Sequence, residues 1–388
     1  MKIVQLITDN REPYQNYDRE IPEFGTAPAA LLQGFSKMTD IEVHVVSCTK
    51  RPMKSPAKLA DNIYFHSLPV PHIGWLRTGY QGCIRAVRRK LREIGPDIVH
   101  GQGSERDQNI SAVFSGFPSV ITLHGNMRLV ARIHHAPPFT FLWCAALLEY
   151  FTIPRAEGVV CITTYTREAV ASLARKTWVV PNAVDSAFFE VKRAPSPSIQ
   201  ILCVATVDER KNQNALIRAL DALRPQVSFE LVFLGSADRR SAYVREFFAL
   251  VESRPWCRYA GFADRAGLRQ HLASASALVL PSLEDNCPMV VLEAMASGVP
   301  VAAARVGGVP DLVRHGETGF LFDPLNAEAM ASAVKQLLQD RECSMASRAQ
   351  SEARKRFHPE IIAARHLEIY REVINAAPPV AFGALDNK

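Results

Sequence analysis

Two acidic residues in one short stretch of the chain have the type and spacing to take part in chemistry. Asp285 lies in the polar segment SLEDNC, and Glu293 follows eight positions later as the only charge between Cys287 and Ala304. An ionised carboxylate is costly to remove from water unless other groups donate hydrogen bonds to it. We therefore expect Glu293 to have partners, and the hydroxyl groups of a bound sugar are one candidate.

The elements that must position these carboxylates are a strand, a loop and a helix. ALVLP predicts the strand, and Pro288 suits the first position of the helix, where its missing amide hydrogen costs nothing. Gly298 and Pro300 end that helix in the usual order. The amides near residues 288–290 would then offer phosphate or another anion the positive end of the helix.

Short apolar runs alternate with helical patterns along the whole chain, which is typical of parallel sheets with crossover helices. In the first half we predict strands at 3–8, 42–47, 97–100, 119–123, 158–162 and 178–180, with helices near 27–37, 80–94 and 164–174. In the second half we predict strands at 201–206, 229–234, 258–260, 277–280, 301–304 and 319–322, with helices near 212–223, 242–252, 266–273, 289–297 and 327–339. The fold class is α/β, with two Rossmann-like, doubly wound domains facing one another across a cleft. In such sheets ligands bind outside the carboxyl ends of the strands.

Domain boundaries follow from a break in this alternation, where residues 181–198 contain three prolines. We predict an N-terminal domain at 1–182, a linker at 183–198 and a C-terminal domain at 199–357. A last helix at 358–376 is expected to cross back to the N-terminal domain, and 377–388 form a tail.

Composition limits the classes of function. The 388 residues are 48% apolar and 22% charged, as in ordinary globular proteins, and the net charge of +6 favours anionic partners without requiring nucleic acid. The eight cysteines form no CxxC pair, so we interpret them as reduced thiols. No secretory signal is visible, and the apolar segment 139–153 contains Glu149 and is too short to span a membrane. We predict a cytoplasmic protein, with the inner face of the cell membrane as an alternative site.

The segment PSLEDNCPMVVLEAMASGVPVAAARVGGVPDLVRHGETGFLF, residues 281–322, closely resembles the donor-site signature of the family 4 glycosyltransferases. These are retaining enzymes with the GT-B fold. The resemblance is strong over residues 201–357 and weaker before residue 95. It implies a nucleotide diphosphate sugar as the donor substrate, with UDP-sugars favoured by family frequency alone, and neither a cofactor nor a metal.

Carried onto this chain, the resemblance assigns Glu293 to the ribose hydroxyls of the donor. The family's earlier acid, usually glutamate, falls on the shorter Asp285, which would face the transferring sugar, with Glu284 one position early. Backbone amides of the loop would hold the sugar and phosphate, here those of Asn286, Cys287, Pro288, Met289 and Val290 as the matching positions. Two alternatives stay open: Glu293 as a core residue bonded only to backbone amides, and Asp285 as a cap of the loop.

A second informative stretch is CVATVDERKNQNALIRAL, residues 203–220. It resembles the family segment in which an arginine and a lysine grip the diphosphate. Lys211 matches the lysine, but Thr206 occupies the arginine position, and we expect Arg210 to supply the missing charge. Two cations here would offset the charge that develops on a departing diphosphate. The alternative is a solvated run of charges at the start of a helix.

The resemblance also supplies candidates elsewhere. VITLHGN makes His124 the candidate that reaches the donor sugar, with a purely structural histidine as the alternative. PEFGTAPAALLQGF retains only Gly25 of the family's usual glycine pair, followed by Thr26, and glycine lets the backbone approach a ligand closely. Gly261 and Phe262 complete the predicted donor-binding set.

The segment GYQGCIRAVRRKLREIG predicts a basic amphipathic helix. Its apolar face comprises Ile84, Val87, Leu91 and Ile94, and the rest of its surface is covered by Arg85, Arg88, Arg89, Lys90 and Arg92. It is either a surface helix packed on its sheet or a contact with an anionic membrane. Nucleic acid is disfavoured, because no aromatic stacking platform accompanies the charge.

Together with the resemblance, which implies retention and metal independence, these observations predict a hexosyltransferase-type enzyme that moves a glycosyl group to an acceptor hydroxyl. The acceptor is a glycan, a lipid-linked glycan or a small molecule, in polysaccharide or glycoconjugate biosynthesis. Two alternatives remain: a nucleotide-sugar epimerase of the same architecture, and a non-catalytic nucleotide-sugar-binding protein.

Overall fold

The structure is a computed structural model that describes residues 1–194, 196–339 and 344–376. The chain divides into unit 1, which comprises Met1–Ala183 and the segment from Pro359 onward, and unit 2, which comprises Val184–His358. The predicted tail 377–388 and Cys343 lie outside the described residues. The other seven cysteines are free thiols.

Unit 1 is built on an eight-stranded sheet in the order β3-β4-β2-β1-β5-β6-β7-β8. Its strands are β1 Lys2–Leu6, β2 Glu42–Thr49, β3 Lys58–Ala60, β4 Ile63–Pro69, β5 Ile98–Gln102, β6 Ser119–Leu123, β7 Gly158–Cys161 and β8 Thr177–Val179. All neighbouring strands pair in parallel except β3 and β4. Buried apolar clusters cover both faces of the sheet, as a parallel sheet requires.

Within residues Met1–Ala183, unit 1 has seven helices: α1 Arg11–Tyr14, α2 Thr26–Phe35, α3 Gln81–Ile94, α4 Gln108–Val113, α5 Met127–Ile133, α6 Phe141–Thr152 and α7 Thr164–Val170. Short 3-10 turns occur at His72–Gly74, Leu76–Thr78 and Ile153–Arg155. The apolar face of α3 is buried in the core, so the prediction of a surface helix packed on its sheet agrees with the structure.

Unit 2 is built on a six-stranded parallel sheet in the order β11-β10-β9-β12-β13-β14. Its strands are β9 Ile199–Val204, β10 Phe229–Leu234, β11 Cys257–Tyr259, β12 Ala277–Leu280, β13 Val301–Ala304 and β14 Phe320–Phe322. Its helices are α8 Gln213–Asp221, α9 Ala242–Glu252, α10 Arg265–Ser274, α11 Met289–Ala296, α12 Val309–Leu312, α13 Ala327–Gln339 and α14 Ser344–Phe357, with 3-10 turns at Ser186–Phe188 and Glu209–Lys211.

The last helix, α15 Pro359–Ala376, belongs to unit 1 and packs against α2. The two helices approach closely at Gly34, where an added Cβ atom would lie 2.2 Å from the carbonyl oxygen of Pro359. A larger residue at position 34 would therefore separate α2 from α15.

Some elements differ from those predicted. The sequence did not predict the β3–β4 hairpin or the helices α1, α4, α5, α6, α12 and α14. Ala183, the first residue of the predicted linker 183–198, belongs to unit 1, and the rest of that linker is grouped with unit 2. Phe188 is fully buried there, and the Ala194 amide donates to the Ala273 carbonyl oxygen at 2.9 Å. Among the described residues, no helix is both long and apolar enough to cross a membrane.

Candidate functional site

Two loops meet at the carboxyl ends of β9 and β12 in unit 2. The amide of Leu283 donates to the carbonyl oxygen of Arg210 at 2.7 Å, and the Asn212 side chain donates to the carbonyl oxygen of Pro281 at 3.2 Å. Asn212 has a φ of 59°, a left-handed conformation that asparagine tolerates better than most residues. These bonds bring the predicted cations beside the predicted acids.

Lys211 and Asp285 form the central ion pair of this site. The Lys211 Nζ atom lies 2.5 Å from the Asp285 Oδ2 atom, and their side chains are only 14% and 11% exposed. The Ser282 hydroxyl donates to the same oxygen at 3.2 Å. Gly307 has a φ of +52°, and a Cβ atom there would lie 2.0 Å from the Asp285 carbonyl oxygen. The turn after β13 therefore needs glycine so that it can pack on the loop that holds Asp285.

Arg210 lies next to this pair and contacts the neighbouring acid. Its Nη1 atom donates to the carbonyl oxygen and to the Oε2 atom of Glu284, at 3.1 and 3.3 Å. Thr206, at the arginine position of the family pattern, instead shares a hydrogen bond of 3.2 Å with the Ser236 hydroxyl. Arg210 is thus close to Lys211 but already engaged with the loop.

Glu293 is buried on α11, and its partner is an arginine. The Arg265 Nη1 atom donates to the Glu293 Oε1 atom at 2.9 Å, so the alternative of a glutamate bonded only to backbone amides is wrong. Burial raises the pKa of Glu293 above its ordinary value, and the charge of Arg265 opposes that shift. The guanidinium of Arg265 also stacks over the Phe188 ring, 4.8 Å from its centroid, and lies 3.4 Å from Asp185.

Arg265 was not among the site residues predicted from the sequence. The residue begins α10, directly after Asp264, whose side chain accepts a hydrogen bond from the Gly267 amide at 2.7 Å. An aspartate followed by a helical pattern was a visible signal for the start of that helix. Nothing in the local sequence indicated that this helix start would face Glu293.

The start of α11 differs from its prediction by one residue. Pro288 is the N-cap and Met289 is the first helical residue. The first bond of the turn runs from the Val291 amide to the Pro288 carbonyl oxygen at 3.1 Å. The helix ends at Ala296 with Ser297 as its C-cap, and Gly298 follows with a φ of +68°, the left-handed conformation expected of a terminating glycine.

The other predicted donor-binding residues of unit 2 lie in the loops of the same sheet edge. Asn286 and Cys287 belong to the loop between β12 and α11, and Met289 and Val290 are half-buried at the helix start. Gly261, with a φ of +80°, follows β11, and its carbonyl oxygen accepts from the Gly235 amide at 2.8 Å. Phe262 beside it is exposed.

His124 follows β6 in unit 1 and is the end of a buried hydrogen-bonded chain. Its Nε2 atom lies 3.0 Å from the Gln102 Oε1 atom, which only accepts, so Nε2 donates. Gln102 donates to Gln5 at 2.9 Å, and Gln5 donates to the Tyr370 hydroxyl on α15 at 2.8 Å. The Tyr370 hydroxyl in turn lies 2.5 Å from the His100 Nδ1 atom.

This chain fixes the orientation of the His124 ring. Burial lowers the pKa of His124 to about 4, while a hydrogen bond with Asn182 opposes that shift. The ring is therefore neutral near pH 7 and can act as a hydrogen-bonding group but not as a standing positive charge.

Gly25 and Thr26 lie at the start of α2 in unit 1. Gly25 is the N-cap, with φ −56° and ψ 153°, a conformation that any residue can adopt. An added Cβ atom would be 3.6 Å from Pro28, an ordinary contact. The protein itself therefore does not require glycine at this position. Thr26 is exposed.

Two family models match the chain. The model described as Glycosyltransferase Family 4 matches residues 29–188, and the model described as Glycosyl transferases group 1 matches residues 198–340. The first boundary lies within α2, and the second model covers every strand of unit 2. Together the two models match most of the described chain.

Curated relatives are similar over part of their length. An uncharacterized glycosyltransferase of Methanocaldococcus jannaschii is 26% identical over 210 residues, which cover 50% of this chain and 54% of that protein. A GDP-mannose-dependent phosphatidylinositol monomannoside mannosyltransferase of Mycobacterium tuberculosis is 26% identical over 245 residues, which cover 58% of this chain and 64% of that protein. The chain thus spans less than two thirds of the length of these relatives.

Solved structures establish the fold. HepE of Anabaena, solved in complex with UDP-glucose, superposes with a TM-score of 0.70 at 20% identity, over 96% of this chain and all of that chain. With its two parallel-sheet α/β units, the chain has the GT-B fold, which confirms the predicted fold class.

Proposed function

The chain belongs to the family 4 glycosyltransferases, and on this premise we propose that it transfers a glycosyl group from a nucleotide diphosphate sugar to an acceptor hydroxyl with retention of anomeric configuration. The observation that supports this most strongly is the ion pair of Lys211 and Asp285 beside the start of α11. A cation, a carboxylate and a helix N-terminus at the carboxyl edge of a parallel sheet are what a diphosphate sugar requires.

Each residue of this edge has a proposed role. Lys211 and Arg210 bind the diphosphate and stabilise the charge that develops on it, and the amides of Asn286, Cys287, Met289 and Val290 hold phosphate and sugar. Glu293 accepts from the ribose hydroxyls through Oε2, because Oε1 already accepts from Arg265. Asp285 and His124 orient the transferring sugar.

The reaction that fits these groups is front-face transfer. The bond between the anomeric carbon and the diphosphate oxygen breaks, and the electron pair leaves with the diphosphate. The acceptor oxygen forms its bond to the same face of the sugar, through an oxocarbenium-like state. The acceptor proton passes to the leaving phosphate oxygen, so that no protein residue has to act as a covalent nucleophile.

The donor base and the acceptor are further parts of the proposal. We favour a UDP-sugar, which HepE binds, although the mycobacterial relative is described as GDP-mannose-dependent. The acceptor would be a glycan or a lipid-linked glycan of polysaccharide or glycoconjugate biosynthesis, reached at the cytoplasmic side of the membrane. No metal or cofactor is part of the proposed reaction.

A nucleotide panel tests the donor assignment. Thermal unfolding in the presence of uridine, guanosine and adenosine diphosphate sugars should show one base that raises the unfolding midpoint, because a ligand that binds the folded state stabilises it. We expect uridine, and a clear preference for guanosine would overturn that part of the proposal. Lys211→Ala is the matched control and should lose most of the stabilisation.

Product analysis separates the three candidate functions. With the preferred donor and a panel of sugar and lipid-linked acceptors, a transferase forms a new glycosidic product whose anomeric configuration matches that of the donor. An epimerase would release a free sugar or an epimer without any acceptor. Donor binding with neither hydrolysis nor transfer would instead favour a binding protein.

A further inference from the structure

The α5–α6 hairpin of unit 1 exposes a cluster of large apolar side chains. Six residues between positions 133 and 151 are at least 40% exposed, and Phe139 is 86% exposed; we call them the α5–α6 patch: Ile133, Phe139, Phe141, Leu147, Tyr150 and Phe151. Clusters of this kind on globular proteins mark interaction surfaces. None of these six residues is among those to which the proposed transfer reaction assigns a role.

Helix α6 turns its polar side inward. Its buried residues are Ala145, Glu149 and Thr152, whereas Phe141, Leu147, Tyr150 and Phe151 are at least 40% exposed. The Glu149 Oε2 atom accepts from the Ser104 hydroxyl at 2.8 Å and from the Met127 amide at 2.9 Å. A buried carboxylate thus fastens α6 to the start of α5. The helix that carries these exposed aromatic side chains is therefore held to the rest of unit 1.

The charged groups beside the patch are basic. Within residues 126–156 the accessible charged side chains are Arg128, Arg132 and Arg155, and the single acid, Glu149, is buried. The Arg128 guanidinium lies 5.8 Å from the centroid of the Tyr150 ring, and that of Arg155 lies 5.6 Å from the centroid of the Phe151 ring. Each arginine can therefore face an anionic group while its neighbouring ring enters an apolar layer.

We propose that the α5–α6 patch binds the surface of an anionic lipid membrane. Aromatic side chains interleaved with arginines are the composition of membrane-interface segments. With 12 residues, α6 is about 18 Å long, too short to cross an apolar layer of about 30 Å, so it lies on the membrane. A second copy of the patch is a poorer partner, because arginines would face arginines.

The proposed membrane contact is the α5–α6 patch, whereas the sequence suggested the basic helix α3. The apolar residues of the basic helix α3 are buried in the core, and only its charged side is accessible. Helix α3 therefore has no apolar face to insert. The α5–α6 patch and the arginines beside it supply both apolar and charged groups from one accessible surface.

Vesicle flotation of the full-length protein tests the proposal. One vesicle type contains phosphatidylcholine alone, and the other contains phosphatidylglycerol and phosphatidylcholine in a ratio of one to two. We expect binding to the anionic vesicles that weakens with added salt. Phe139→Ser and Phe151→Ser should each reduce the partition coefficient roughly tenfold, and Arg132→Gln about fivefold.

Two controls keep the test specific. Ile73→Ser removes an equally exposed apolar residue outside the patch, and the triple variant Arg85→Gln, Arg89→Gln, Arg92→Gln reduces the charge of α3. Neither should change vesicle binding by more than about twofold, because neither variant alters an apolar side chain of the α5–α6 patch or an arginine beside it. Unfolding midpoints of all variants should match that of wild type, because these side chains are exposed.

A depth probe adds an independent readout. Trp143 lies in the hairpin, with its ring 5.4 Å from that of Phe139. Brominated lipid should quench the tryptophan fluorescence of the wild-type protein, but not that of the variant Trp143→Phe. The proposal is overturned if anionic vesicles fail to bind, if the patch variants bind as wild type, or if the patch variants instead abolish a dimer. None of these results depends on donor binding, so failure of the membrane proposal would not contradict the proposed transfer reaction.

Discussion

Replacing Arg265 by methionine tests how the buried carboxylate of Glu293 is maintained. The side chain of Glu293 is 5% exposed and that of Arg265 is 33% exposed, with 2.9 Å between their paired atoms. Methionine keeps most of the packing on the Phe188 ring but removes the charge and the hydrogen bond. Breaking a fully buried pair costs about 3–5 kcal/mol, and because Arg265 is partly exposed, water can reach the carboxylate and we expect about 2–3 kcal/mol.

This loss should depend on pH in a defined direction. Burial raises the pKa of Glu293 in the folded state above its ordinary value of 4.5, and removal of Arg265 should raise it further. Below the unfolded-state pKa the carboxyl is protonated in both states, so folding carries no ionisation penalty there. As the pH rises through the folded-state pKa, the unfolded chain holds the charge more easily and the folded state loses stability. The variant should therefore be closer to wild type at about pH 4.5 than at about pH 8.

Calorimetric unfolding of the ligand-free protein measures the effect. For a unit of this size, 2–3 kcal/mol corresponds to a decrease of roughly 5–10 °C in the unfolding midpoint of unit 2. Arg269→Met is the matched control, because Arg269 also stacks over the Phe188 ring, at 5.7 Å, but does not contact Glu293. Adding Glu293→Gln to Arg265→Met should restore most of the stability. An equal decrease at both pH values, or no restoration in the double variant, would refute the reasoning.

The remaining predictions concern donor binding and turnover. Lys211→Ala should lower turnover by about two to three powers of ten, measured by initial rates, because it removes a cation that acts most strongly as charge develops. Arg210→Ala should weaken donor binding in calorimetry, and unchanged binding would show that Arg210 only holds Glu284. Glu293→Gln should weaken binding of the nucleotide diphosphate itself, since a charge-assisted bond is about twice as strong as a neutral one. Asp285→Asn should lower turnover more than nucleotide affinity, and the opposite order would exchange the two assignments.

Local patterns allowed much of unit 2 to be predicted. The bounds predicted for β10, β12, β13, α9 and α13 coincide with the structure. Each of these elements has a clear apolar period and is bounded by turn residues, so local preference and final packing agree. The same holds for the order of strand, loop and helix around Asp285 and Glu293.

What could not be predicted depends on distant parts of the chain. The pairing of Arg265 with Glu293 joins residues 28 positions apart, and the contact of Tyr370 with Gln5 joins residues 365 apart. No local period encodes such contacts. Helix α6 was missed for a different reason. Several of its large apolar residues are exposed, so its sequence resembles a short membrane-like segment more than an amphipathic helix.

The sequence also contains a signal for the β3–β4 hairpin. Asp61 and Asn62 form a turn, and Ile63 and Phe65 are buried while Tyr64 between them is half-buried. This alternation is typical of a strand with two different faces. The β3–β4 hairpin could therefore have been predicted, and it was missed because its strands are less apolar than the central ones.

The ion pairs of unit 2 indicate how the site rests before a donor binds. Arg210 and Lys211, adjacent in sequence, pair with Glu284 and Asp285, also adjacent, so the four side chains carry no net charge. In the proposed function, an anionic diphosphate would take Lys211 away from Asp285, and the released carboxylate would then be available to a sugar hydroxyl. The two residues then change partners in a single step, and their contributions to turnover cannot be independent. Removing both side chains should consequently cost little more than removing Lys211 alone, because Asp285 without Lys211 has already lost the partner that positions it.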